Sequence, residues 1–183
     1  MELTPTLDLR SVDVPVGGSV RAEGPLELEP LSLAGQTYGY TPPAPALRLD
    51  VVRTLGAGWH LRLCGDAQVD GPCWVCLGDA HVPVTIDATE VHDASGEDRD
   101  MASSYVEDGT LDVAGWARDA VAEALPPRIL CREDCAGICP RCGHDLNTGP
   151  CECGPPEPDP RWGPLAELSE RLKASEGDAE ASH

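Results

Sequence analysis

The chain has 183 residues, enough for one domain of ordinary size. Its 32 acidic and 13 basic side chains give a formal net charge of −19, so the surface repels nucleic acid and anionic membranes and suits a basic protein partner. Phenylalanine is absent, which leaves a thin core of Leu, Val and Ala, and such cores are often supported by a bound metal or by oligomerisation.

Nothing in the chain resembles a targeting segment. Residues 1–18 lack the basic start and apolar stretch of a signal peptide, and no run reaches the roughly 20 apolar residues of a membrane-spanning helix. We therefore expect a cytoplasmic protein, in a compartment that keeps thiols reduced. The nine cysteines then need a role other than disulfide formation, and metal binding is the usual one.

Alternation of apolar and polar residues predicts β-strands at 19–29, 47–51, 59–69 and 82–86. The last three follow one another closely along the chain, so we expect an antiparallel meander with one face in solvent. Residues 30–46 are rich in Pro, Gly and Ala and are predicted to form a loop.

Two helices follow an acidic stretch. Residues 87–112 are predicted to form a solvated acidic loop. Apolar residues at helical spacing predict a helix over 113–124, with Asp112 as its N-cap and Pro126-Pro127 after its end. A second helix is predicted from 164 to about 173.

Together these elements predict an α+β fold: an antiparallel β-meander or partly closed barrel with two helices and a cysteine-rich, zinc-ribbon-like C-terminal segment. We expect an irregular N-terminal segment at 1–18 and a β-rich core with acidic loop and helix at 19–125. A zinc-binding segment with the C-terminal helix at 126–173 and a disordered acidic tail at 174–183 complete the chain.

The C-terminal cysteines carry the strongest chemical signal. Cys139-Pro140-Arg141-Cys142-Gly143 places two sulfurs two residues apart, and the glycine permits the positive φ that such a tight turn needs. Cys151-Glu152-Cys153 supplies two more sulfurs. Four thiolates in a closed tetrahedral arrangement are typical of structural zinc.

A second cysteine pair lies between two predicted strands, in Cys73-Trp74-Val75-Cys76. A Cys-x-x-Cys pair can also perform thiol redox chemistry, but the redox form begins a helix, and none is predicted here. With one site filled by the C-terminal four, the remaining pairs fill another. The predicted ligands of two zinc ions are Cys73, Cys76, Cys131, Cys135, Cys139, Cys142, Cys151 and Cys153.

Alternatives to this pairing stay open at the level of sequence. Cys131 and Cys135 can instead join the C-terminal cluster, which leaves Cys73 and Cys76 without metal. His144 can replace one cysteine ligand, and Cys64 is interpreted as a spectator. Neither zinc site keeps an open position and no catalytic motif is present, so we expect no enzyme.

These motifs resemble the YceD family of large ribosomal RNA subunit accumulation proteins. The similarity extends from about residue 8 to about residue 173. The matching elements, in chain order, are Cys73-Trp74-Val75-Cys76-Leu77, Leu125-Pro126, Gly137-Ile138-Cys139-Pro140-Arg141-Cys142-Gly143, Asp145-Leu146-Asn147, Cys151-Glu152-Cys153, Asp159-Pro160-Arg161 and Pro164-Leu165-Ala166-Glu167-Leu168.

The resemblance implies a role in ribosome biogenesis, in support of large-subunit ribosomal RNA accumulation. The negative charge favours a basic ribosomal protein or pre-ribosomal particle as partner, with the acidic run 87–112 as the landing zone. Direct RNA contact needs a basic face, and the candidate residues are Arg48, His60, Arg62, Arg128, Arg132 and Arg141. The alternative is a zinc-stabilised protein-interaction module without a ribosomal role.

Overall fold

The computed structural model describes residues 1–56, 58–93, 95, 102–154, 160–165 and 168–169. Its main element is a six-stranded antiparallel sheet. The strands of this sheet are β2 (Ser19–Pro25), β3 (Leu31–Leu33), β4 (Gln36–Thr41), β5 (Ala46–Arg53), β6 (Gly58–Pro72) and β7 (Asp79–Asp93).

Strand β6 organises the sheet because of its length of 15 residues. On one side it pairs with β5 along its first half and with β4 along its second, while β7 pairs along the whole of the other side. The β5–β6–β7 succession confirms the predicted meander. The described strands form an open sheet rather than a barrel.

A small second sheet and one helix complete the fold. The sheet has the order β1 (Thr6–Asp8), β9 (Thr110–Asp112) and β8 (Val106–Glu107), all antiparallel. Helix α1 (Val113–Ala124) follows β9 directly and packs against β7. As predicted, the Asp112 carboxylate caps it, accepting a hydrogen bond of 2.9 Å from the Gly115 amide.

The core lies between one face of the large sheet and helix α1. Alternate residues of β5 and β6 are fully buried, and Trp116 of the helix belongs to the same apolar cluster. The opposite face carries ion pairs such as Arg62–Asp87. None of the helices in the described part of the chain is long and apolar enough to cross a membrane.

Three sequence predictions need correction. Residues 30–46 contain the β3–β4 hairpin and are not a loop throughout. Tyr38 and Tyr40 are its buried alternate residues, and the neighbouring Pro and Gly obscure this alternation in the sequence. The N-terminal segment 1–18 contains β1 and a 3₁₀ turn at Leu9–Ser11, both too short to show periodicity. The acidic stretch 87–112 begins within β7 and ends in β8 and β9, because hairpin pairing overrides its polar composition.

The end of the chain is described only in part. A 3₁₀ turn spans Pro160–Trp162, and residues 163–165 and 168–169 are helical, which agrees with the predicted second helix over those positions. The rest of the 164–173 prediction, the predicted tail at 174–183 and residues 94 and 96–101 of the predicted acidic loop lie outside the described residues.

Candidate metal centres

The first group of four cysteines joins two distant segments. The β6–β7 hairpin turn supplies Cys73 and Cys76, and the segment after α1 supplies Cys131 and Cys135. The Trp74 amide donates a hydrogen bond of 2.8 Å to the Ile129 carbonyl, which fixes that segment against the turn. We call these four cysteines the first quartet; their sulfurs all lie within 4.8 Å of one another.

The second group lies wholly within the C-terminal segment. Cys139, Cys142, Cys151 and Cys153, the second quartet, also have all sulfurs within 4.8 Å of one another. A single antiparallel bridge between Ile138 and Asp145 supports the loop that follows. Cys139 is buried, while its three partners are more accessible.

The same backbone turn presents a Cys-x-x-Cys pair in both quartets. In the first, the Leu77 amide donates to the Cys73 carbonyl at 3.0 Å, and the Cys73 amide donates to the Gly78 carbonyl at 2.7 Å. In the second, the corresponding Gly143-to-Cys139 and Cys139-to-His144 bonds are both 2.8 Å. Each turn thus directs two sulfurs to the same point.

The spacing of the sulfurs fits a single metal ion. A tetrahedral ion with metal–sulfur bonds of about 2.3 Å separates its ligand sulfurs by about 3.8 Å. In the first quartet, Sγ of Cys73 lies 3.8 Å from that of Cys135, and Sγ of Cys76 lies 3.6 Å from that of Cys131. A disulfide needs about 2.0 Å, and all nine cysteines are free. Each quartet could therefore hold a metal ion.

The acidity of the thiols reflects their crowding. Burial opposes ionisation of Cys73, but amide hydrogens directed at its sulfur outweigh it and lower the pKa to about 6. Amides of Cys142 and Arg141 likewise lower the pKa of Cys139 to about 6. Desolvation and the neighbouring sulfurs raise the pKa of Cys131 to about 12. One thiolate per quartet thus forms readily, whereas ionisation of Cys131 would need a nearby cation to offset the repulsion of its neighbours.

The ninth cysteine, interpreted as a spectator, and the alternative ligand His144 both lie outside the quartets. The Cys64 thiol lies 3.4 Å from a carboxylate oxygen of Asp87 on the solvent face of the sheet. The His144 ring contacts the Thr148 hydroxyl at 3.5 Å and contributes to neither quartet. Cys131 and Cys135 accompany Cys73 and Cys76, so the structure has the first of the two cysteine pairings weighed above.

The candidate RNA-binding arginines are mostly held in local contacts. Arg62 makes a two-pronged ion pair with Asp87 at 2.7 and 2.8 Å, and Arg48 pairs with Asp50 at 3.2 Å. Arg132 pairs with Asp134 at 3.2 Å, and Arg141 donates to the Gly154 carbonyl at 3.3 Å. The meander face is therefore a mixed-charge surface rather than a basic one.

Sequence reasoning missed one residue that contacts the ligands. The Asn147 side-chain amide lies 3.6 Å from the Cys135 sulfur and 2.8 Å from the Ala136 backbone amide. The only local signal is the Asp145-Leu146-Asn147 turn, in which the Asn147 amide donates to the Asp145 carboxylate at 2.9 Å. That signal predicts a turn, but it does not indicate a contact with the other quartet.

Comparisons with known proteins add relatives of two kinds. A protein of Arabidopsis thaliana named "Large ribosomal RNA subunit accumulation protein YCED homolog 1, chloroplastic" is 36% identical over 67 residues, which are 37% of this chain and 21% of that protein. An uncharacterized protein of Mycobacterium bovis is 33% identical over 109 residues, which are 56% of this chain and 51% of that protein. An uncharacterized protein of Mycobacterium leprae is 34% identical over 103 residues, which are 52% of this chain and 46% of that protein.

The chain thus spans about half, or less, of the length of these curated relatives. No solved structure matches it. The family model described as "Large ribosomal RNA subunit accumulation protein YceD" matches residues 62–169, a span that includes the first Cys-x-x-Cys turn and all of both quartets. Because this match covers more than half of the chain, the chain belongs to the YceD family.

Proposed function

We propose that each quartet binds one zinc ion and that both ions are structural. The observation that supports this is two groups of four cysteine sulfurs, each with all sulfurs within 4.8 Å of one another, and separations of 3.6 and 3.8 Å in the first quartet that match a tetrahedral ion. A multi-iron cluster would insert sulfides between the irons and hold the cysteines farther apart. Four thiolates also leave no open position for substrate, so we propose that the chain is not an enzyme.

We further propose that the chain is a cytoplasmic ribosome-biogenesis factor that supports accumulation of large-subunit ribosomal RNA. The single observation that carries this role is membership of the YceD family. A net charge of −19 and the local pairing of Arg48 and Arg62 favour a basic ribosomal protein over naked RNA as the contact.

Depletion of the protein tests the ribosomal role. We expect the ratio of mature large to small subunits in a sucrose gradient to fall and to recover with the wild-type chain. Re-expression of Cys73→Ser at equal level should recover less, because that variant lacks one ligand of the first quartet. An unchanged subunit ratio after depletion would remove the ribosomal role.

One observation favours the alternative, a zinc-stabilised interaction module without a ribosomal role. Trp74 and Leu77, on the first quartet's turn, have 58% and 59% of their surface exposed. They line an apolar groove of about 650 Å³ together with Leu33, Leu125 and Pro126. Such an exposed patch, on an acidic protein, suits a basic partner with apolar side chains.

Co-sedimentation with ribosomal particles separates the two candidates. A biogenesis factor should migrate with large-subunit precursors at low salt, and a substitution of Trp74 by Ala should weaken that association if the groove forms the contact. A general module should stay at the top of the gradient at every salt concentration while it still binds its partner.

A further inference from the structure

Asn147 lies on the loop of one quartet and contacts a ligand of the other. It belongs to the loop between Cys142 and Cys151, both members of the second quartet. Its side-chain NH2 group donates to the Cys135 sulfur of the first quartet at 3.6 Å. The loop of the second quartet therefore contacts the first quartet through this side chain.

The other contacts of Asn147 fix its orientation. Its side-chain oxygen accepts two hydrogen bonds of 2.8 Å, from the Ala136 amide and from the Arg132 guanidinium. Its NH2 group also donates to the Asp145 carboxylate at 2.7 Å. The bonds from Ala136 and Arg132 attach Asn147 to the segment that contains Cys131 and Cys135. The bond to Asp145 attaches it to the second quartet's loop.

The backbone makes the same junction. The Leu146 amide donates a hydrogen bond of 2.9 Å to the Gly137 carbonyl, between the loop and the segment that links Cys135 to Cys139. A Cβ at Gly137 would lie 2.5 Å from a methyl group of Val75, so this segment approaches the first turn closely. The position of the loop therefore affects the first quartet through two adjacent residues, Leu146 and Asn147.

We infer that Asn147 is a positioning residue that couples metal binding at the two quartets. The inference rests on the zinc centres proposed above. Ligand-orienting hydrogen bonds of this kind stabilise the bound thiolate, and their loss typically lowers metal affinity about 10–100-fold. A metal at the second quartet closes the 142–151 loop, which holds Asn147 against Cys135. By thermodynamic reciprocity, metal at the first quartet then favours metal at the second.

The test uses the full chain loaded with cadmium-113, which gives one nuclear resonance per centre. Cross-peaks to cysteine β-protons assign each resonance. Asn147→Ala should shift the first quartet's resonance and raise the rate of metal transfer from it to a chelator about tenfold or more. Thr148→Ala is the matched control: it lies in the same loop, and its hydroxyl contacts only the Asp145 carbonyl and the His144 ring among the described residues.

A second variant keeps the acceptor contacts and removes both donor contacts. Asn147→Asp keeps an oxygen for the Ala136 and Arg132 bonds but replaces the donor to Cys135 and to the Asp145 carboxylate with an acceptor. It should speed release from the first quartet at least as much as Asn147→Ala. The coupling itself is read from Cys151→Ser, which should accelerate release from the first quartet in the wild-type background and much less in the Asn147→Ala background.

The outcomes separate this inference from the proposal on which it depends. A wild-type chain that holds two ions, combined with unchanged first-quartet release in both Asn147 variants, would overturn the coupling and leave the zinc centres in place. A wild-type chain that holds no ion in either quartet would overturn both. An equal acceleration in Thr148→Ala would assign the effect to the loop as a whole and would also contradict a specific role for Asn147.

Discussion

At the scale of single residues, the two Cys-x-x-Cys turns differ at one informative position. The residue after the second cysteine is left-handed in both, with φ of 61° at Leu77 and 72° at Gly143. A side chain in this conformation costs roughly 1–2 kcal/mol relative to glycine. The first turn joins two strands that pair along their whole length, whereas the second is flanked by the single Ile138–Asp145 bridge and has glycine at this position.

Substitution of Gly143 should therefore weaken the second centre. Nothing lies within 4 Å of a Cβ built at Gly143, so Gly143→Ala introduces backbone strain without a clash. A penalty of about 1–2 kcal/mol corresponds to a 5–30-fold lower zinc affinity, measurable by competition with a chelator. Gly154→Ala is the control, since its site is equally open and its φ is outside the left-handed region. Equal affinities of the two variants would contradict this explanation.

The two Cys-x-x-Cys turns were predictable because cysteine spacing is a local property, whereas metal binding by these cysteines stays a prediction. Cys73 and Cys76 were found from their own turn, as were Cys139 and Cys142. The pairing of the first turn with Cys131 and Cys135 followed only from counting the cysteines left over after the second quartet, because it joins segments 55 or more positions apart. The contact between Asn147 and Cys135 was not predictable, since an amide side chain gives no sequence signal of the ligand that it orients.

At the scale of elements, long periodic segments were predictable and short ones were not. Strands β5, β6 and β7 and helix α1 each repeat a buried face several times, which fixes their type. Strands β1 and β3 have three residues each, too few to show a period, and form because neighbouring strands offer them hydrogen bonds. The division between the β-rich part and a metal-binding part that begins at residue 126 remains a proposal.

Removal of metal should separate these two parts. Within residues 131–153 the only buried positions are Gly137 and Cys139, so this segment has almost no apolar core of its own. Structural zinc contributes on the order of 10–16 kcal/mol of apparent binding free energy in small domains. After chelation, we expect amide hydrogen exchange in 131–153 to approach unprotected rates while β5, β6 and β7 stay protected.

A matched variant makes the exchange experiment specific. Cys139→Ser should raise exchange in 139–153 in the presence of zinc and leave the sheet as protected as in the wild-type chain. Protection of 131–153 that survives chelation, or loss of protection throughout the sheet, would contradict a metal-dependent segment on a self-sufficient β-core.

At the scale of the whole molecule, charge decides which contact is favoured. The net charge of −19 opposes approach to RNA phosphates and steers basic proteins toward the surface. Within the proposed landing zone 87–112, Glu107 and Asp108 are exposed on the β8–β9 turn. We expect the proposed contact with a large-subunit particle to survive nuclease treatment and to weaken as salt rises.

Neutral variants localise that contact. The double substitution Glu107→Gln with Asp108→Asn should lower the amount of particle recovered and flatten its salt dependence. Glu2→Gln with Asp13→Asn changes the charge equally at exposed positions outside the run and should have no effect. Loss of binding on nuclease treatment would instead favour RNA and direct attention to Arg128, which is exposed.

The most direct test of the central claim is the metal content of the intact chain by native mass spectrometry. We expect two zinc ions in the wild-type protein and in Cys64→Ser, because the Cys64 sulfur lies outside both quartets. Cys73→Ser and Cys139→Ser should each retain one. A wild-type chain with fewer than two ions, or a Cys64→Ser variant that loses one, would contradict the two-centre assignment.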